Sequence, residues 1–139
     1  MARQLAEDED QEPEAILLGT DLVAPKSVYS EKELAKTFEE LLVVLENKGH
    51  DFWNNRCEAL RTIRALVLGG AAEYEGFMPG LHTLKVPFAD AIADLRSTLV
   101  REACVTAALL SQTFGTGFAH MAETLVPAML KQVCVVQRC

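Results

Sequence analysis

Apolar positions recur along this chain at the period of one helical face, and the same arrangement returns twice. Leu34, Phe38, Leu41 and Leu45 sit at steps of four, seven and eleven residues; Phe77, Leu81, Leu84 and Phe88 repeat them 43 residues on, and Phe118, Ala122, Leu125 and Met129 a further 41. Residues at these steps share one stripe of an α-helix, so each set predicts an amphipathic helix with a single buried face. A second kind of helix falls between them. Arg56-Cys57-Glu58-Ala59-Leu60 and Arg101-Glu102-Ala103-Cys104-Val105 align 45 residues apart. The chain therefore reads as about two and a half helical hairpins, of which none can bury its apolar face alone. Hairpins of this kind stack into an all-α solenoid, whose long edges bind partners.

A period near 40 residues is the length of a HEAT repeat. The helix limits follow from local signals. Ser30 with Glu33 forms a capping box, which starts a helix that runs to about Asn47. A second helix spans about Phe52 to Leu68 and stops at Gly69-Gly70. The third is expected over Tyr74 to Ala93, with Pro79 tolerated in its first turn and Pro87 bending it. The fourth covers Ser97 to Phe114, before Gly115-Thr116-Gly117. The fifth starts near Phe118, is expected to break at Pro127, and runs toward the C-terminus. There Leu125, Met129, Val133 and Val136 predict an exposed stacking face through which the chain could self-associate.

Charge adds a boundary. Six of the acids (Glu7, Asp8, Glu9, Asp10, Glu12, Glu14) lie in the first 14 residues against Arg3, so that segment carries −5 of the net −7. Residues 1–27 are accordingly read as an acidic flexible leader and 28–139 as the folded body. Residues 48–101 hold seven bases against six acids, too mild a balance for nucleic acid. The start MARQLAEDED has no apolar signal core, and no apolar run approaches the ~18 residues that span a bilayer. A cytosolic chain with no membrane partner is expected. The four cysteines show no C-x-x-C spacing and read as small core residues.

Nothing in the sequence assembles a reaction centre. His50, His82 and His120 are far apart, and no H-E-x-x-H, G-x-S-x-G or P-loop string occurs. No catalytic residue, cofactor or metal site is expected. Two turns stand out instead, each between the helices of one hairpin: Lys48-Gly49-His50-Asp51-Phe52-Trp53 and Ala93-Asp94-Leu95-Arg96-Ser97. Stacking would line them along one edge, where Trp53 and Arg96 are of the types enriched at protein–protein hot spots. Structural readings compete at each position. Trp53 is in phase with Cys57 and Leu60, Asp94 or Ser97 could cap the following helix, and Lys48 suits a helix C-terminus. Arg56 and Arg101 occupy equivalent repeat positions, which predicts pairing along the stack with acids such as Asp51 and Asp94.

From Val28 to about Lys131 the chain resembles the TOG domain of the CLASP family of microtubule-associated proteins. The resemblance is carried by Trp53-Asn54-Asn55-Arg56, Ala59-Leu60-Arg61-Thr62-Ile63-Arg64, Gly70-Ala71-Ala72-Glu73-Tyr74 and, above all, Asp94-Leu95-Arg96-Ser97-Thr98-Leu99-Val100-Arg101-Glu102-Ala103-Cys104. It implies a HEAT array whose intra-repeat turns form a tubulin-binding edge, in the cytoplasm on the microtubule cytoskeleton. By position Trp53 becomes the anchor of the first turn, Arg96 and Ser97 the contacts of the second, and Lys48 a further basic candidate. Phe52 stands where the family ordinarily has a polar residue before the tryptophan. The later half of such a domain has no counterpart, so a partial domain is expected. The rival reading is a HEAT-repeat interaction scaffold that does not bind tubulin.

Overall fold

Ser30 opens the first helix in the way its spacing predicts, its Oγ accepting the Glu33 N–H at 3.1 Å, while Glu33 Oε2 accepts the N–H of Tyr29, one residue earlier than the standard box. The computed structural model describes residues 23–138. Residues 1–22, with most of the acidic leader, and Cys139 lie outside the described residues, as do the side chains from Cys134 onward, including Val136. The helices are α1 (Glu31–Glu46), α2 (Trp53–Leu68), α3 (Phe77–Thr83), α4 (Lys85–Ile92), α5 (Ser97–Phe114) and α6 (Ala119–Arg138), and no strand occurs among the described residues.

They stack in two layers. α1 packs against α3 and α4, and α4 against α6, while α2 lies along α5. This is the all-α, HEAT-like arrangement of successive hairpins. The repeated stripe is its core: Leu34, Phe38, Leu41, Leu45, Phe77, Leu81, Leu84, Phe88, Phe118 and Leu125 are buried, and Ala122 and Met129 pack against them half-buried. Phe77 joins two layers of rings, edge-on to Phe38 at 5.3 Å and stacked on Phe114 at 5.4 Å. Cys57 is a free thiol in this core and Cys104 one that packs half-buried against it, and burial pushes both up from their ordinary range.

Four expectations are corrected. The helix expected over Tyr74 to Ala93 is two helices meeting at Leu84. Pro87 has no N–H for the Thr83 carbonyl and its ring crowds that carbonyl, so the first segment ends at Thr83. The stripe survives because Leu84 itself stays buried. Conversely, α6 runs unbroken through Pro127, which is exposed together with Glu123, so water can reach the carbonyl the proline leaves unpaired. Arg56 and Arg101 are not equivalent, since Arg56 is buried and Arg101 exposed; Glu102 takes the inner position instead. Finally, of the expected stacking face Val133 is exposed but Leu125 and Met129 face the core, and among the described residues of α6 Val126 and Leu130 join Val133 in solvent.

Ahead of α1 the chain is already attached to the body. The Lys26 N–H donates to the Ala65 carbonyl at 2.9 Å, Val28 is buried, and Tyr74 donates its hydroxyl to the Val28 carbonyl at 3.0 Å. Gly69 permits that approach, for a Cβ there would stand 2.1 Å from the Lys26 carbonyl oxygen. Gly69→Ala is expected to push residues 23–28 off α2 and cost about 1–3 kcal/mol. A thermal melt of the variant checks this; an unchanged melting temperature would show that the segment contributes nothing.

Between α3 and α6 the rings of His82 and His120 lie 4.7 Å apart, and His82 Nε2 is buried without a hydrogen-bond partner. Burial lowers the His82 pKa, with His120 and Lys85 adding to the shift. The unfolded chain therefore binds a proton here more readily than the folded one, and stability present above about pH 6.5 is lost as pH falls toward the lowered folded value. Melting temperature should fall between about pH 7.5 and pH 5, and by less in His82→Leu. Parallel curves for the two proteins would remove His82 from the account.

Candidate functional site

Both intra-hairpin turns are short, and side chains from outside hold them. In the first, Asn47 caps the end of α1 and its side chain accepts the Gly49 N–H at 3.2 Å, and a single 3₁₀ turn over His50–Phe52 feeds directly into α2. This makes Trp53 the first residue of α2. Its ring is half-buried and packs against the core. The helical phase with Cys57 and Leu60 and the edge position are thus both real, because a residue at the rim of a stripe touches core and solvent at once.

In the second turn Asp94 is the organising group. Its Oδ1 accepts the Arg96 N–H at 2.8 Å, its Oδ2 lies 3.3 Å from Arg56 Nη2, and its carbonyl accepts Gln132 Nε2 at 2.9 Å. Gln132 also donates to the Ile92 carbonyl at 2.8 Å, so α6 ties down the end of α4. Asp94 therefore closes an Asx turn and does not cap α5, whose N-cap position is Arg96 with no side-chain cap; Ser97 is the first helical residue and is exposed. The expected Arg56–Asp94 pairing is present. Arg56 is 2% exposed, and its Nε has no partner.

Stacking brings the two turns together. Arg96 lies over the Trp53 ring, its Cζ 5.7 Å from the centroid, and its Nη2 reaches His50 Nδ1 at 2.9 Å and the His50 carbonyl at 3.2 Å. A guanidinium over indole is held by the ring's quadrupole, worth about 0.5–1 kcal/mol at an exposed site. Lys48 stands apart from this pair, bound to Asp90 of α4 at 2.6 Å with both side chains substantially exposed. Of the four residues singled out in the sequence, Trp53 and Arg96 are thus in contact, Ser97 adjoins Arg96, and Lys48 is neutralised by Asp90.

The sequence missed two members of the edge. Leu95 is 99% exposed at the tip of the second turn, beside Arg96 and Ser97. Its place at a turn between polar residues carried no periodic signal. His50 has a contact no spacing rule could reveal, since its partner lies 46 residues away. Among the described residues no group of three or more His, Cys, Asp or Glu could hold a metal ion, and no helix is long and apolar enough to cross a membrane.

Comparison with known proteins gives a consistent result. Residues 34–138 match the family described as CLASP N terminal. The chain is 38% identical over 120 residues to CLIP-associating protein 1 of Xenopus tropicalis, covering 86% of this chain and 8% of the relative. It is 38% identical over 113 residues to CLIP-associated protein of Arabidopsis thaliana, covering 81% and 8%. Protein CLASP-1 of Caenorhabditis elegans is 34% identical over 117 residues, again 81% of this chain and 8% of the relative. The chain thus spans less than a tenth of the length of these curated relatives, and both turns of the edge fall inside the matched segment. A family match over three quarters of the sequence, a HEAT-like stack and relatives up to 40% identical place this chain in the CLASP family, within its N-terminal domain.

Proposed function

We propose that this chain is a non-enzymatic tubulin-binding module of a CLASP-type regulator of microtubule dynamics, working on the microtubule cytoskeleton in the cytoplasm to suppress depolymerisation and promote rescue. The observation that carries the reading is the seating of Arg96 over Trp53 at 5.7 Å. It joins the two turns that the TOG resemblance assigns to tubulin into one surface. Its half-buried indole and its guanidinium are of the types enriched at hot spots, and the fully exposed Leu95 and the exposed Ser97 border them. Two nearby carboxylates are already engaged, Asp90 by Lys48 and Asp94 by Arg56, which lowers their repulsion toward an acidic partner.

Co-sedimentation with microtubules and titration against free tubulin dimer test the reading. The chain should bind, and Arg96→Glu should not. The scaffold alternative has one observation in its favour, the exposed row Val126, Leu130 and Val133 on α6, which could seat another protein segment or a second copy of the chain. A folded chain that ignores tubulin in both assays would favour it.

A further inference from the structure

We propose that His50 is a positioning residue of this edge: its neutral imidazole holds Arg96 across Trp53, and protonation of the ring releases Arg96 and weakens tubulin engagement. The clamp is a property of the chain alone, whereas its consequence for binding rests on the tubulin reading above.

The argument begins with donors and acceptors. A guanidinium has only N–H donors, so the 2.9 Å contact from Arg96 Nη2 requires His50 Nδ1 to offer a lone pair. The ring must then be neutral with its proton on Nε2. A protonated imidazole carries N–H on both nitrogens, and the same contact would set donor against donor and cation against cation. The second hydrogen bond, from Arg96 Nη2 to the His50 carbonyl at 3.2 Å, draws the guanidinium to the same spot and cannot survive its displacement.

The surrounding charges do not offset a second cation. Lys48 and Asp51 lie on the histidine's own turn; Asp90, Asp94 and Arg96 come from the second hairpin, and Arg56 of α2 reaches Asp94. Asp90 is held by Lys48 at 2.6 Å, and Asp94 is shared between Arg56 and the Arg96 backbone N–H. Asp51, next to His50 in the chain, is exposed to water, which screens its charge. Release would be confined to the Arg96 side chain. The backbone of its turn is fixed independently, by Asp94 and by the bonds from Gln132 at 2.8 and 2.9 Å. The clamp therefore changes the shape and charge of the edge with little effect on folding.

Trp53 is the sole tryptophan of the 139 residues, so fluorescence excited at the red edge of the indole band, where the two tyrosines do not absorb, reports on this ring alone. The full chain is titrated from about pH 8 to pH 5.5, the range in which imidazoles change charge. One transition is expected, absent in His50→Gln, whose side-chain oxygen can accept from Arg96 but cannot be charged, and absent in Arg96→Ala. His82→Gln should retain it. Microtubule affinity of the parent should fall about tenfold relative to His50→Gln across the same range, both proteins being measured on the same microtubules. A transition that persists in Arg96→Ala, or none in the parent, overturns the clamp. A clamp seen by fluorescence with an unchanged affinity ratio overturns its role in binding. A chain that binds no tubulin at any pH fails the tubulin reading instead, and the fluorescence still decides the clamp.

Discussion

Glu102→Ala is expected to remove a large share of the domain's stability, because it strands the guanidinium of Arg64 inside the stack. Arg64 is 2% exposed. Its Nη2 donates to Glu102 Oε2 at 3.0 Å and its Nη1 to Thr106 Oγ1 at 2.8 Å, while Arg61 Nε reaches the same carboxylate oxygen at 3.1 Å. Thr106 has one hydroxyl proton, and the shorter of its two carbonyl contacts, 2.7 Å to Glu102 against 3.3 Å to Leu60, identifies its main acceptor. The carboxylate thus balances two cations where α2 meets α5. Removing one partner of a buried pair costs about 3–5 kcal/mol, a large share of the ~5–15 kcal/mol that holds a domain of this size together. Circular dichroism melts should show a fall of about 15 °C or more. Replacing both buried partners with leucine, Arg64→Leu with Glu102→Leu, should recover much of the loss, since no charge is then left without a partner. A Glu102→Ala melt within a few degrees of the parent would mean that water reaches Arg64 freely.

Arg96→Glu and Trp53→Ala are each expected to lower tubulin affinity by about 100-fold, through different routes that stability measurements separate. Arg96 is half-exposed and contributes its cation to the edge, so a carboxylate there repels an acidic partner and opposes the His50 carbonyl, with little effect on folding. Trp53 packs partly on the core, so its truncation should also cost about 1–3 kcal/mol and lower the melting temperature by several degrees, leaving a folded protein. Microtubule co-sedimentation with parallel melts reads both. Wild-type affinity in Arg96→Glu would move the binding surface away from these turns.

Much of this structure was legible in the chain because it is local. The Ser30 cap, the ends of α2 and α5 and the thrice-repeated stripe follow from backbone hydrogen bonding and the helical period, which involve residues within a few positions of each other. The two turns could be named for the same reason, and Trp53 and Arg96 within them. Periodicity says which residues share a face, and it leaves open how far each helix is rotated against its neighbour. An alignment at 45 residues put Arg101 where Arg56 stands, whereas the stack buries Glu102, a shift of one residue that separates an exposed cation from the anion at the centre of the buried network. On α6 the same kind of rotation turned Leu125 inward and left Val126 in water.

What the sequence by itself determined, then, is a set of amphipathic helices and the residue types offered at their junctions. Only the tertiary structure decided which groups meet. Arg96 finds His50 across 46 residues, and His82 finds His120 across 38, through stacking geometry that no local pattern encodes. The physical reason is that a helix forms from contacts within one turn, while a site between repeats depends on the register and rotation of whole helices, set by how their buried side chains interlock.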